Sequence, residues 1–238
     1  MHRHRLVSIL LSWACVSGAA TCVAGTPPAV SPARTPAEAG LTDIRSLVPD
    51  MAETIHYAGS DNFTGAPVEG YDAPKCLLRT AAAQALTAVE QDLRRQGYRL
   101  HVWDCYRPVR SVAAFVRWAS DPGDVRTKAA HYPRLGKDRL LGEYIAPVSG
   151  HSRGATVDLT LMRCAAGRCV PLDMGTDFDL FDPIAHTDDP GATPAQRDNR
   201  QRLLRAMAAH GFVNYPAEWW HYTLPSAAGS WIYDVPVR

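Results

Sequence analysis

Apolar residues recur at helical spacing through Leu78, Ala82, Leu86, Val89 and Leu93, and Gly97 supplies a stop, which predicts an amphipathic helix from about Arg79 to Gln96. The next run, "YRLHVWDCY", alternates apolar and polar positions with the period of two that a strand requires. Pro108 then stands where a second helix, through "RSVAAFVRWAS", can begin. Further along, "ATVDLTLM" and the aromatic "EWWHYTL" read as strands. A last helix has an explicit start: Thr193 as cap, Pro194 in the first helical position and Gln196 completing a capping box. It would bury Leu203, Leu204, Met207 and Ala208 and end at Gly211. Helices and strands that do not alternate regularly predict a single α+β domain, with a small, largely antiparallel sheet and helices packed to one side.

This pattern begins only after two segments of different character. Residues 1–25, "MHRHRLVSILLSWACVSGAATCVAG", run from basic to apolar to small residues, the layout of a secretory signal peptide, and the apolar run is too short to span a membrane. A lipid anchor at Cys22 would fit the same segment, although Thr21 before it is a poor match. Residues 26–40, "TPPAVSPARTPAEAG", are rich in Pro and Ala without apolar periodicity, which predicts a mobile leader to a domain spanning 41–238.

Export changes the meaning of the cysteines. Without the signal, four remain, and in an oxidising compartment an even number favours pairing. Cys164 pairs with Cys169 across the short "CAAGRC" loop, and Cys76 with Cys105 across a longer one. The competing reading, a zinc cluster on Cys164 and Cys169, lacks a second Cys/His pair nearby. A net charge of +1 over 238 residues, with Lys and Arg dispersed, argues against nucleic acid or an acidic membrane surface and for a small-molecule or peptide substrate.

Candidate chemistry is concentrated in two places. In "SGHSRGATVD", Gly154 lets the chain bend between His151 and Asp158, so both could meet one ion. Alone, the pair reads better as a hydrogen-bonded loop histidine and a turn aspartate. "EWWHY" adds His221 and Glu218, which together complete three ligands of the type catalytic zinc uses, with a carboxylate left over as base. In a regular strand, residues three apart face opposite ways, so this segment has to bend or turn if Glu218 and His221 are to share a site. His210 suits a helix C-terminus. His56, His101, His131 and His186 read as structural or surface residues, and Trp219 and Trp220 as wall and core.

Five motifs in order, "YAGSDNFTG", "WDCYRP", "SGHSRGATVDLTL", "MGTDFD" and "EWWHY", resemble the zinc D-alanyl-D-alanine dipeptidases from about Asp50 to the C-terminus. The resemblance implies one zinc ion per chain on His151, Asp158 and His221, with Glu218 as general base and then acid. It implies that Arg107 stabilises the tetrahedral intermediate, where the residues alone equally allow a structural pairing with Asp104. It places Ser149 near the substrate carboxylate, and Tyr57 and Asp179 around its ammonium. The expected function is hydrolysis of D-alanyl-D-alanine or close D,D-dipeptides outside the cytoplasm, in turnover of wall-derived peptides. The alternatives are a D,D- or L,D-carboxypeptidase acting on longer wall peptides and a secreted zinc-binding protein without turnover.

Overall fold

The computed structural model describes residues 28–238, and the expected signal segment, with Cys15 and Cys22, lies outside them. Among the described residues the strands are β1 (Leu41–Asp43), β2 (Ala52–Glu53), β3 (Leu77–Arg79), β4 (Tyr98–Asp104), β5 (Thr156–Ala165), β6 (Arg168–Pro171), β7 (Val213–Asn214) and β8 (His221–Thr223). The α-helices are α1 (Thr80–Arg95), α2 (Val109–Ser120), α3 (Lys128–His131) and α4 (Pro194–Ala208). The main sheet runs β2-β4-β5-β8-β7, with β6 also paired to β5, while β1 and β3 form a separate ribbon. Among the pairs these described strands form, only β2–β4 is parallel. This is the α+β architecture that the residue pattern predicts.

The central strand β5 decides where the core and the chemistry lie. Val157, Leu159 and Leu161 alternate with Thr156, Asp158 and Thr160, so one face is aliphatic and the other polar. The aliphatic residues join Leu100 and Val102 of β4, Leu86, Val89 and Leu93 of α1, and Leu203 and Met207 of α4 in one core. Helices α1 and α4 pack on each other and on this sheet. Helix α2 stands apart, against the 3-10 turn Lys137–Arg139, with the Phe115 ring 4.9 Å from that of Tyr57.

Local devices fix these elements. At the α1–β4 turn the buried Glu90 accepts from Leu100 N (2.8 Å) and from the Nε atoms of Arg94 (2.9 Å) and Arg99 (2.8 Å). The capping box of α4 is complete, with Gln196 N donating to Thr193 Oγ1 and Thr193 N to Gln196 Oε1, a cap worth about 1 kcal/mol. Both expected disulfides are present: Cys76–Cys105 links the entry of β3 to the end of β4, and Cys164–Cys169 closes the β5–β6 hairpin. No helix among the described residues is long and apolar enough to cross a membrane.

The described part of the Pro/Ala-rich stretch departs from the mobile leader expected. Ser31 N donates to Ile232 O, Val30 bridges Ile232, and a turn over 35–40 buries Ala39. Backbone pairing to the C-terminal segment, invisible to a periodicity reading, holds it on the domain. The strand expected over "EWWHYTL" is also shorter, since only His221–Thr223 is extended.

Candidate metal centre and active site

The sheet register sets three acidic and imidazole side chains in one row. Asp104 of β4 lies opposite Asp158 of β5, just past an irregularity in the pairing after Val102, and Asp158 lies opposite His221 of β8. His151 reaches the same place from the 3-10 turn Gly150–Arg153 that leads into β5. Gly154 ends that turn at φ +74°, and a Cβ there would come within 2.8 Å of Leu41. This position therefore requires glycine both for its backbone angle and for space.

The resulting contacts are tight. His151 Nε2 lies 3.3 Å from Asp158 Oδ2 and 3.3 Å from His221 Nδ1, and His221 Nδ1 lies 3.1 Å from Asp158 Oδ1. One ligand atom from each of the three residues falls within 4.8 Å of the others, so the set can close on a single metal ion. Two further observations fit a cation here. Asp158 Oδ1 is buried and makes no well-aligned hydrogen bond despite the nearby His221 ring, and the other nitrogen of His151, Nδ1, donates to Cys105 O at 2.6 Å, which leaves Nε2 as the free lone pair.

Glu218 joins the triad because its segment turns. Glu218 N donates to Tyr215 O and His221 N to Glu218 O, so the chain curls before β8 begins and Glu218 Oε2 comes 3.3 Å from His221 Nδ1. That curl resolves the facing problem a regular strand would have posed. Trp219 and Trp220 fill the core behind it, each about 1% exposed, and Trp219 Nε1 donates to Thr176 Oγ1.

Charges follow from these neighbours. Burial pushes the Asp158 carboxyl up, but His151 and His221 outweigh it and hold the group below the usual carboxylate range. Burial pulls His221 down, while Asp158 and Glu218 raise it to about 10, so without a metal ion this imidazole carries a proton at neutral pH. Asp104 is fully buried; it accepts from Tyr71 Oη (2.6 Å) and Arg107 Nη2 (2.8 Å) and lies 3.3 Å from His151 Nδ1.

Arg107 realises both readings open to it in the sequence. It is paired with Asp104, and it also lines the cleft, with one nitrogen 3.7 Å from Asp158 Oδ2 and its guanidinium over the Tyr57 and Phe115 rings. Although burial opposes its charge, the surrounding acids keep it cationic. At the far end, Tyr57 Oη donates to Asp179 Oδ2 at 2.8 Å, and both residues are buried. Burial, first, and the Asp158 charge, second, push the Asp179 carboxyl well up, against the opposing pull of the Tyr57 hydrogen bond and of Arg107. Ser149 caps the turn that carries His151 by accepting from His151 N.

All eight side chains singled out in the sequence line one cleft of about 320 Å³, together with Phe115, Tyr144, Phe181 and Tyr215. Residues the motif reading missed are Tyr71, Tyr144 and Tyr215, which carry no spacing signal, and the part Asp104 plays beside His151. That last was not accessible, since alternation puts Asp104 on the same face as Leu100 and Val102, and only the irregularity in the β4–β5 pairing brings it opposite Asp158. His210 pairs with Asp92 as a helix-end histidine, whereas His56 has an unanticipated carboxylate neighbour in Asp61.

Comparison with known proteins agrees with this geometry. The profile of the D-ala-D-ala dipeptidase family matches residues 37–237. A D-alanyl-D-alanine dipeptidase of Streptomyces coelicolor is 44% identical over 76% of this chain and 89% of its own. Proteins of the same name from Enterococcus faecium and Enterococcus faecalis are 38% and 41% identical, each over 79% of this chain and 92% of theirs. With a cleft that gathers three side chains able to hold a metal ion and a profile match along nearly the whole described domain, the chain belongs to the D-Ala-D-Ala dipeptidase family of metallopeptidases.

Proposed function

We propose that this protein is an exported, zinc-dependent dipeptidase that hydrolyses D-alanyl-D-alanine or closely related D,D-dipeptides. One observation carries the reading: a His151–Asp158–His221 triad with Glu218 beside it and Arg107 across from it, in a cleft that ends at the Tyr57–Asp179 pair. Two imidazoles and one carboxylate are the donor set of catalytic zinc, and three protein ligands leave a position for solvent. The names of the relatives supply the substrate.

When bound, such an ion acidifies a water to a pKa of about 7 and polarises a carbonyl oxygen. Glu218 accepts the proton as water attacks the peptide carbon, and returns it to the departing amine. Arg107, held flat by Asp104 and the two rings, offers its guanidinium to the oxygen on which negative charge develops. The Tyr57–Asp179 pair receives the ammonium of a free dipeptide, and Ser149 donates to its carboxylate. Because the ammonium end is walled by buried side chains, a longer or acylated peptide meets protein where a free dipeptide places its amine. Two disulfides, stable in oxidising compartments, and the basic–apolar–small start of the chain support export.

The test is release of free alanine by the zinc-loaded protein from D-Ala-D-Ala, L-Ala-L-Ala and N-acetyl-D-Ala-D-Ala. The expected result is rapid cleavage of the free D,D-dipeptide alone. Efficient cleavage of the acetylated compound would instead favour a carboxypeptidase, and no release despite one bound zinc would favour a binding protein.

A further inference from the structure

Asp179 is one of two non-glycine residues among those described with positive φ, at +57°, an uncommon backbone state for a residue with a side chain. It sits in an irregular segment, so something outside the turn has to hold it. The contacts on either side of it point to His131, at the end of α3. His131 Nδ1 donates to Asp179 O (3.1 Å), and His131 O accepts from Phe181 N (2.7 Å), so one residue grips the turn from both sides of Leu180. The partner of Nδ1 is a carbonyl, which can only accept, so that nitrogen carries the hydrogen. Inside the cleft the same turn presents the Asp179 carboxylate to Tyr57 Oη.

His131 makes these contacts from the other side of a shared wall. A second cleft, of about 400 Å³, is lined by His56, Trp103, His131 and Phe178, while the chain neighbours Tyr57 and Asp179 line the first. His131 therefore touches the back of the wall and not the substrate side.

We propose that His131 is a positioning residue for substrate specificity: its imidazole fixes the left-handed turn at Asp179 and so aims the carboxylate that receives the substrate's ammonium. The inference rests on the assignment of Tyr57 and Asp179 to that ammonium. Misplacing a recognition group by a fraction of an ångström weakens binding of the feature it recognises and leaves the rest of the site alone. The effect of losing the imidazole is thus confined to ligands that bear the amine.

The experiment measures KM for D-Ala-D-Ala and the competitive Ki of N-propionyl-D-alanine, the same molecule without its amino group, for the wild type and for His131→Ala, His131→Asn and His131→Gln. An Asn amide sits where Nδ1 was and keeps the donor, whereas a Gln amide reaches the Nε2 position and does not. The expected result is a KM raised about tenfold in His131→Ala and His131→Gln, a KM near wild type in His131→Asn, an unchanged Ki throughout, and little change in kcat. Equal changes in KM and Ki, or identical behaviour of the Asn and Gln variants, would overturn the proposal; if the Ala variant does not fold, the Asn–Gln contrast still decides. A wild type that binds both ligands equally well would instead refute the ammonium assignment itself.

Discussion

At the metal end of the cleft, Asp104, Asp158 and His221 stand in one row across three hydrogen-bonded strands, and only His151 comes from a turn. At the other end, Tyr57 lies on a single 3-10 turn and Asp179 in a loop, 122 residues apart in sequence. The first end is positioned by sheet register, because a slip of one residue would throw Asp158 or His221 to the aliphatic face. The second has no register, and the loop around Asp179 is held by hydrogen bonds to its own carbonyls. The buried Arg200 of α4 donates to Met174 O, Ile184 O and His186 O, and Arg134 pairs with Asp182. Substitutions at the register-built end should therefore abolish turnover, and those at the loop-built end should shift substrate preference.

The largest effect is expected at Glu218, which touches His221 but is not needed to complete the ligand set. Glu218→Ala should lower kcat about a thousandfold, within the range for loss of a general acid–base group, while zinc content measured by mass spectrometry stays at one per chain. Full activity in this variant would take Glu218 out of the mechanism. Zinc lost along with activity would make it a ligand and undo the separation between holding the metal and moving the proton.

A smaller and more selective effect is expected from Asp179→Asn, which keeps the shape and the hydrogen bond to Tyr57 but removes the carboxyl that can ionise against a bound ammonium. A charge-assisted contact to an ammonium is worth about 2 kcal/mol, so KM for the free dipeptide should rise about thirtyfold with kcat nearly unchanged. Loss of kcat with KM intact would place Asp179 in the chemistry and erase the contrast between the two ends.

The same contrast separates what is legible in the amino-acid sequence from what is not. His151, Asp158, Glu218 and His221 are readable because strand alternation and the glycine-bent approach to β5 limit where such side chains can point. The curl at Glu218 is required by that geometry, though its form is not foreseeable. Helices α1 and α4 are legible from apolar spacing and a capping box. Tyr57, Ser149 and Asp179 carry no periodic signal, so only the family resemblance singles them out, and the carbonyl contacts of Arg200 and His131 depend on loop paths that no local pattern encodes. The docking of residues 28–40 escapes the residue pattern for a similar reason: it rests on backbone bonds to a segment about 200 residues away.

The last effect, about tenfold at most for each pH unit, tests the metal end alone. Without an ion, burial lowers His221 but Asp158 and Glu218 raise it to about 10, while Asp158 is already charged at neutral pH. On the proposed assignment, zinc bound here would use the lone pair of His221 Nδ1, so this imidazole would have to give up its proton. Between about pH 7 and pH 10, zinc uptake should release a proton from His221, and apparent affinity should rise by up to roughly tenfold per pH unit, flattening above the pKa where the imidazole is already neutral. Calorimetry at pH 8 in two buffers of different ionisation enthalpy reads the proton directly as a difference in apparent heat. Glu218→Gln removes one of the two carboxylates that raise His221, so its pKa should fall and the plateau should begin at lower pH. Equal heats in both buffers for the wild type would mean that His221 is neutral beforehand, and the acidic pair around it would then be shaping something other than its charge.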